Sequence, residues 1–179
     1  DELRRIHNVV QERGGITLID EIYLGLSYEE QFGHTALAID DNIISINSFS
    51  KYFNMTGWRL GWMVVPDALV DVIERLAQNL FICPSTIAQH AAMACFEPES
   101  LALFEQRRSE FKARRDYFIP ELQAMGLTVP VVPDGAFYVA ITPGRDFGSA
   151  QTQHFVRFST ASSMEHLQQA VARLRAVLV

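Results

Sequence analysis

The chain has 179 residues, 49% of them hydrophobic and 20% charged, with a formal net charge of −6 and a pI near 5.3. That length holds one ordinary domain or two small ones, and the composition promises a packed core. The acidic balance argues against a general nucleic-acid surface, and no apolar run approaches the roughly 18 residues of a membrane span.

In chain order, Asp1-Glu2-Leu3-Arg4-Arg5 does not have the look of a secretory signal. Leu3–Arg13 reads as a helix stopped by Gly14-Gly15. Ile16–Ile19 is a short apolar run, the pattern of a strand buried on both faces. Asp20 falls at its end, where open α/β sheets carry their ligand crevice, although an aspartate there also suits a turn cap. Tyr23 lies within reach of the same end and alone reads as a half-buried packing residue. Glu29-Glu30-Gln31 is a solvated face, and His34 lacks the partner spacing of a metal ligand.

Residues 42–48 and 60–65 form the next strands. Asp67 reads as a helix cap, and Leu69, Val70, Ile73, Leu76 and Leu80 carry helical spacing. Pro84–Phe96 is a second, mainly apolar helix. Alternation of apolar strands with helices indicates an α/β layer architecture. Cys83 and Cys95 form no C-x-x-C pair and read as reduced core residues of a cytosolic protein.

Near Glu97-Pro98-Glu99 the character changes. Ser100–Met125 reads as one long, charge-rich helix, with Lys112 on its solvated face and Pro120 placed to kink it or to open a new segment. Strands are expected at Leu127–Val132, Ala136–Ala140 and Phe155–Ser159, with a turn at Pro133-Asp134-Gly135. Ser162-x-x-Glu165 matches a capping box opening a final helix.

The lysines are informative. Only Lys51 and Lys112 occur, and arginine supplies the other basic residues. A lysine just after a buried strand offers an amine that can form a Schiff base, which arginine cannot. The plainer reading is a solvated loop lysine. Ser48, Ser50 and Arg59 surround Lys51 with hydroxyls and a guanidinium suited to a phosphate.

The stretch Ser48-Phe49-Ser50-Lys51 through Gly57-Trp58-Arg59-Leu60-Gly61 resembles the lysine signature of the pyridoxal-phosphate-dependent aminotransferases of fold type I, classes I and II, the aspartate aminotransferase-like group. Asp20-Glu21-Ile22-Tyr23 upstream and Phe155-Val156-Arg157-Phe158-Ser159 downstream match in the same order. The resemblance implies an α/β fold with a mainly parallel large-domain sheet and a smaller α+β C-terminal domain. Residues 1–97 would be the later part of the cofactor-binding domain and 98–179 the small domain. It covers nearly the whole chain but only the later part of a typical member. The early part of the fold is thus expected to be missing, and Gly135–Tyr138 lies so near Thr142–Gly148 that an omitted segment is expected near residues 139–141.

The same resemblance assigns roles. Lys51 would bond to pyridoxal 5'-phosphate as a Schiff base and then shuttle the substrate proton. Asp20 would pair with the pyridine nitrogen, and Tyr23 would hydrogen-bond the ring oxygen and lower the proton affinity of the Schiff base. Ser48, Ser50 and Arg59 would hold the phosphate. Arg157 would take the substrate carboxylate, Tyr138 would line the substrate side or serve the core, and Trp58 would pack. The implied reaction is ping-pong transfer of an amino group from an amino acid to a 2-oxo acid in a cytoplasmic homodimer, with no metal, nucleic acid or membrane. The competing readings are a C–S lyase or cyclopropane-forming synthase of the same fold, an aminotransferase-like sensory domain of a transcription regulator, and an inactive relative.

Overall fold

Short apolar runs bounded by glycine, proline and aspartate build the first sheet. In the computed structural model, residues 1–139 and 156–178 are described. Strands β1 (Leu18–Asp20) and β2 (Ile44–Ser48) pair in parallel, with Asp20 opposite Ile46. Strand β3 (Gly61–Val64) runs antiparallel on the other side of β2, with Gly61 opposite Ser48. The order β1-β2-β3 therefore brings Asp20, Ser48 and Gly61 to the same end of the sheet. These elements belong to a first unit, Asp1–Leu26 with Glu30–Phe104.

Helix α1 (Glu2–Glu12) ends where the backbone turns left-handed at Gly14, φ 69°, and the Gly14 and Gly15 amides close onto Gln11 and Val10. Buried His7 pins this helix to the sheet through Thr17 Oγ1 at 2.8 Å and Asp40 Oδ2 at 3.2 Å. Helices α2 (Asp67–Leu80) and α3 (Thr86–Met93) follow β3. The unit's core is Phe49, Met55, Leu60, Ala88, Ala92, Cys95 and Phe104.

Helix α4 (Pro98–Ala124) enters the second unit at Glu105; Ser27–Glu29 also belongs to that unit. There the Tyr28 amide donates to Asp134 O at 2.7 Å, and Arg115 donates to Pro133 O at 2.6 Å while its guanidinium lies 4.7 Å from the Tyr28 ring. Strands β4 (Tyr138–Val139) and β5 (Phe158–Ser159) pair antiparallel, and helix α5 (Met164–Leu178) closes the unit. Phe118, Ile119, Leu122, Met125, Leu167 and Val171 form its core.

Several expectations change. Leu127–Val132 forms no strand, because Pro130 and Pro133 remove amides that a ladder needs. Helix α4 continues through Pro120. The lost bond to the carbonyl of Asp116 costs about 3 kcal/mol, and burial of Phe118, Ile119 and Leu122 on both sides of the proline offsets it. Asp67 is the first residue of α2 rather than its cap, which is Pro66. The cap of α5 is Ser163, whose Oγ accepts from the His166 amide at 3.2 Å, one residue after the expected Ser162. Cys83 is exposed, and only Cys95 is in a core. Lys112 pairs with Asp116 at 3.3 Å on an exposed face, as its charge run predicts. Ala140, the stretch Thr142–Gly148 and Phe155 lie outside the described residues, as does most of the expected join at 139–141.

The apolar runs are also less buried than their composition predicts. Every residue of β3 is exposed, α2 has no buried residue, and Leu18 and Ile16 are open on β1 and just before it. Runs of this kind are written for a sheet covered on both faces. No described element of the unit covers these positions. Among the described residues, no helix is long and apolar enough to cross a membrane.

Candidate active site

The site begins with how the chain leaves β1. Asp20 Oδ1 accepts from the Ile22 amide at 3.2 Å, so the aspartate turns the backbone at the strand end. Its carboxylate remains on the exposed surface. The turn carries half-buried Tyr23 and passes into a short 3-10 turn, Leu24–Leu26.

The exit of β2 is built as a closed loop. The Phe49 amide donates to Leu60 O at 3.1 Å and the Met55 amide to Phe49 O at 3.0 Å, while Thr56 Oγ1 donates to Ser50 O at 2.7 Å. Ser48 Oγ accepts from the Ser50 amide at 3.0 Å, which sets the two serines against each other at the strand end. Asn54 and Arg59 take left-handed φ angles of 55° and 52°. Asparagine tolerates that conformation, whereas arginine adopts it at a cost. The Arg59 side chain turns back to donate to Thr56 O at 3.0 Å.

Packing decides where Lys51 points. Phe49, Tyr52 and Phe53 join the aromatic core, with ring centroids 4.9 Å apart for Phe49–Phe53 and 5.5 Å for Tyr52–Phe104. The residues flanking Lys51 are thus committed inward. Lys51 Nζ lies 5.2 Å from the centroid of the Tyr23 ring, within cation–π range. Gly25 permits this approach: a Cβ there would lie 2.8 Å from Tyr52 Cγ. Gly61 has a similar role at the sheet end, where a Cβ would meet Asn47 O at 2.7 Å.

Asp20, Tyr23, Ser48, Ser50 and Lys51 therefore gather in the first unit at the carboxyl ends of the parallel pair, and Arg59 precedes β3 at the same end of the sheet with its side chain turned to Thr56 O. An amine beside a phenol ring, an open carboxylate, two hydroxyls and a guanidinium fit an anionic aromatic aldehyde such as pyridoxal phosphate. Arg157 and Tyr138 form a second cluster in the other unit, with the guanidinium 4.5 Å from the ring. Trp58 is 45% exposed and does not pack into a core. An open groove of about 550 Å³ between β3 and α2 is lined by Arg59, Trp62, Phe81 and Ile82, but not by Asp20, Tyr23 or Lys51. It is an apolar flank of the sheet rather than the pocket of this cluster.

Sequence reasoning missed Glu21. Its buried carboxylate accepts from Thr35, Ala36 and Ser45. The available signal was Ser45 and Asn47, two polar residues at strand spacing on one face of β2, opposite the face of Ile44 and Ile46.

Comparison with known proteins points to one family. The family model for aminotransferase class I and II matches residues 1–142. The (5-formylfuran-3-yl)methyl phosphate transaminase of Methanocaldococcus jannaschii is 34% identical over 98% of this chain and 53% of its own length. The aspartate aminotransferase of Pyrococcus abyssi is 31% identical over 99% of the chain and 52% of its own length. The crystal structure of an aminotransferase from Mycobacterium tuberculosis superposes with a TM-score of 0.89 at 31% identity, covering 99% of this chain and 52% of that one. The chain spans about half the length of these relatives. It belongs to the class I and II aminotransferases, a family that uses pyridoxal phosphate, and it has their α/β fold type I architecture.

Proposed function

We propose that the intact protein is a pyridoxal-phosphate-dependent aminotransferase that moves an amino group from an amino acid to a 2-oxo acid by a ping-pong mechanism. The observation that carries this reading is Lys51 Nζ placed 5.2 Å from the Tyr23 ring centroid, at the sheet end that also presents Asp20. When bound, pyridoxal phosphate supplies a reactive carbonyl and a sink for electrons.

The chain's own residues do the rest. Lys51 would hold the cofactor through its amine and would move the substrate proton when that amine is free. Asp20 would face the pyridine nitrogen and favour its charged form. Tyr23 would donate to the ring oxygen. Ser48 and Ser50 would donate to the phosphate, and Arg59 would add charge from its exposed loop. Arg157 grips the substrate α-carboxylate with a two-pronged contact, and Tyr138, against which it stacks, lines the substrate side.

Residues 1–97 are read as the later part of the cofactor domain and 98–179 as the small domain. A cytoplasmic homodimer completes the reading, with two free cysteines as support for a reducing compartment. The acidic charge argues against a general nucleic-acid surface. The transaminase and aminotransferase names of the relatives favour amino transfer over lyase, synthase or regulatory readings.

The test is the absorbance of the intact protein with added pyridoxal phosphate, before and after borohydride, beside Lys51→Ala. A visible band that needs Lys51, with reduced cofactor mapped to the Lys51 peptide, supports the reading. A folded protein with no lysine-dependent band refutes it.

A further inference from the structure

Glu21 follows Asp20 directly and is 7% exposed. A carboxylate buried at a strand end requires donors. The Ala36 amide donates to Oε1 at 2.6 Å, and Thr35 Oγ1 and Ser45 Oγ donate to Oε2 at 2.8 and 2.6 Å. Both hydroxyls are themselves supplied with donors. The Leu37 amide donates to Thr35 Oγ1 at 3.3 Å, and Asn47 Nδ2 donates to Ser45 Oγ at 2.9 Å. Each hydroxyl proton is thereby directed at Glu21.

The backbone of the same residue is fixed as well. Its amide donates to Ile46 O at 2.8 Å, and its carbonyl accepts from the Leu24 amide at 2.9 Å. One residue thus joins the β1 exit to β2 and to the turn at Thr35-Ala36. Asp20 stands immediately before this anchor and Tyr23 two residues after it.

We propose that Glu21 is a positioning residue: its buried carboxylate clamps the Asp20–Tyr23 turn to β2 and so sets where Asp20 and Tyr23 stand relative to Lys51. The inference rests on the reading of the site given above. A glutamine cannot replace the clamp. The Ala36 amide cannot reverse, so the glutamine oxygen must face it. The glutamine amide then faces the two hydroxyls, and the protons of Thr35 Oγ1 and Ser45 Oγ lose the carboxylate oxygen that accepted them.

The experiment uses the intact protein carrying Glu21→Gln, with Ser45→Ala as the milder variant should the first fail to fold. Amide hydrogen exchange is measured without cofactor, and the pH at which the lysine-dependent visible band half-converts is measured with added pyridoxal phosphate. Glu21→Gln is expected to speed exchange at Leu24 and Ala36 by about ten-fold or more, the scale of one lost buried hydrogen bond. The Phe49 amide, held by Leu60, should keep its wild-type rate. The band midpoint should move upward by at least about half a unit, because displaced Tyr23 no longer favours the unprotonated form. Ser45→Ala should move both readouts the same way by less. A purely structural role would change exchange and leave the midpoint in place, and that result overturns the proposal. Wild-type exchange in both variants overturns it too. Loss of the lysine-dependent band in wild type would sink the cofactor reading and this inference together, and is visible before any Glu21 variant is made.

Discussion

Gly25→Ala tests the packing that sets Lys51 beside Tyr23. The added Cβ would lie 2.8 Å from Tyr52 Cγ and 3.0 Å from both Tyr52 Cβ and Cδ2. Carbon atoms in contact normally sit about 3.5–4.0 Å apart, so the ring root or the Leu24–Leu26 turn must give by roughly 0.7 Å. Cβ and Cγ are the stiff end of the tyrosine, and its ring is packed against Phe53 and Phe104 with centroids 5.1 and 5.5 Å away. Overpacking of this kind costs about 1–3 kcal/mol. Gly57→Ala is the control, because its Cβ meets nothing within 4 Å. Its effect should stay within about 0.5 kcal/mol. Urea unfolding of the intact protein gives both values. The double variant Gly25→Ala/Tyr52→Ala removes the obstacle, so it should be less destabilised than the sum of its single changes. If Gly25→Ala matched Gly57→Ala, or if the double variant were simply additive, the close approach of these two segments would not be what positions the lysine loop.

Two pH predictions and one kinetic prediction follow from other contacts. The Asn42 amide, then His7 and the Asn42 side chain, hold the Asp40 carboxyl below its ordinary 3.8. The unfolded chain therefore takes up the proton first, and stability present above pH 3.8 falls as the pH drops through the lower folded value. Asp40→Asn should flatten that acid limb in urea unfolding, and an unchanged limb would contradict the contact. Burial pushes the Tyr28 hydroxyl up from 10.0 to about 12, against the opposing pull of Arg115. Its contribution is present below pH 10 and lost as the pH rises toward 12. Tyr28→Phe should lose that alkaline dependence, together with about 0.5–1.5 kcal/mol for the hydrogen bond to Ala136 O. Arg157→Lys keeps the charge but loses the fork and the stack on Tyr138, so KM for the amino donor should rise roughly ten-fold while cofactor affinity holds. A weakened cofactor with an unchanged KM would place Arg157 elsewhere in the mechanism.

The legible parts of this chain are those in which one local rule decides the outcome. Glycines stop α1, the apolar run ending at Asp20 forms β1, and Ser48 closes β2 just before Lys51. Motif order then collected Asp20, Tyr23 and Lys51 without any knowledge of distance. Elements governed by tertiary context were harder to read. Leu127–Val132 has a strand's composition, but its prolines deny it a ladder. Helix α4 passes Pro120 because flanking burial outweighs the local penalty. Glu21 was hidden because a glutamate after a strand ordinarily means solvent, and its three donors come from residues 14 to 24 positions away.

The same reasoning explains why the lysine loop is so heavily specified. A nucleophilic amine on a long side chain has many rotamers, and ordering it costs up to about 2 kcal/mol. Its flanking aromatics supply restraint, by packing Phe49, Tyr52 and Phe53 in one cluster and leaving Lys51 near Tyr23. Left-handed Asn54 and Arg59 close the loop, and Gly61 lets it rejoin the sheet against Asn47. Within this loop, the left-handed Arg59 is a choice that a stability argument would reject, since glycine fits that conformation without strain. Its presence there is best accounted for by the phosphate contact proposed for its guanidinium. Arg59→Gly should therefore preserve or raise the stability of the intact protein while weakening pyridoxal phosphate binding. If both quantities fell together, the loop would need the arginine for its shape rather than for an anion.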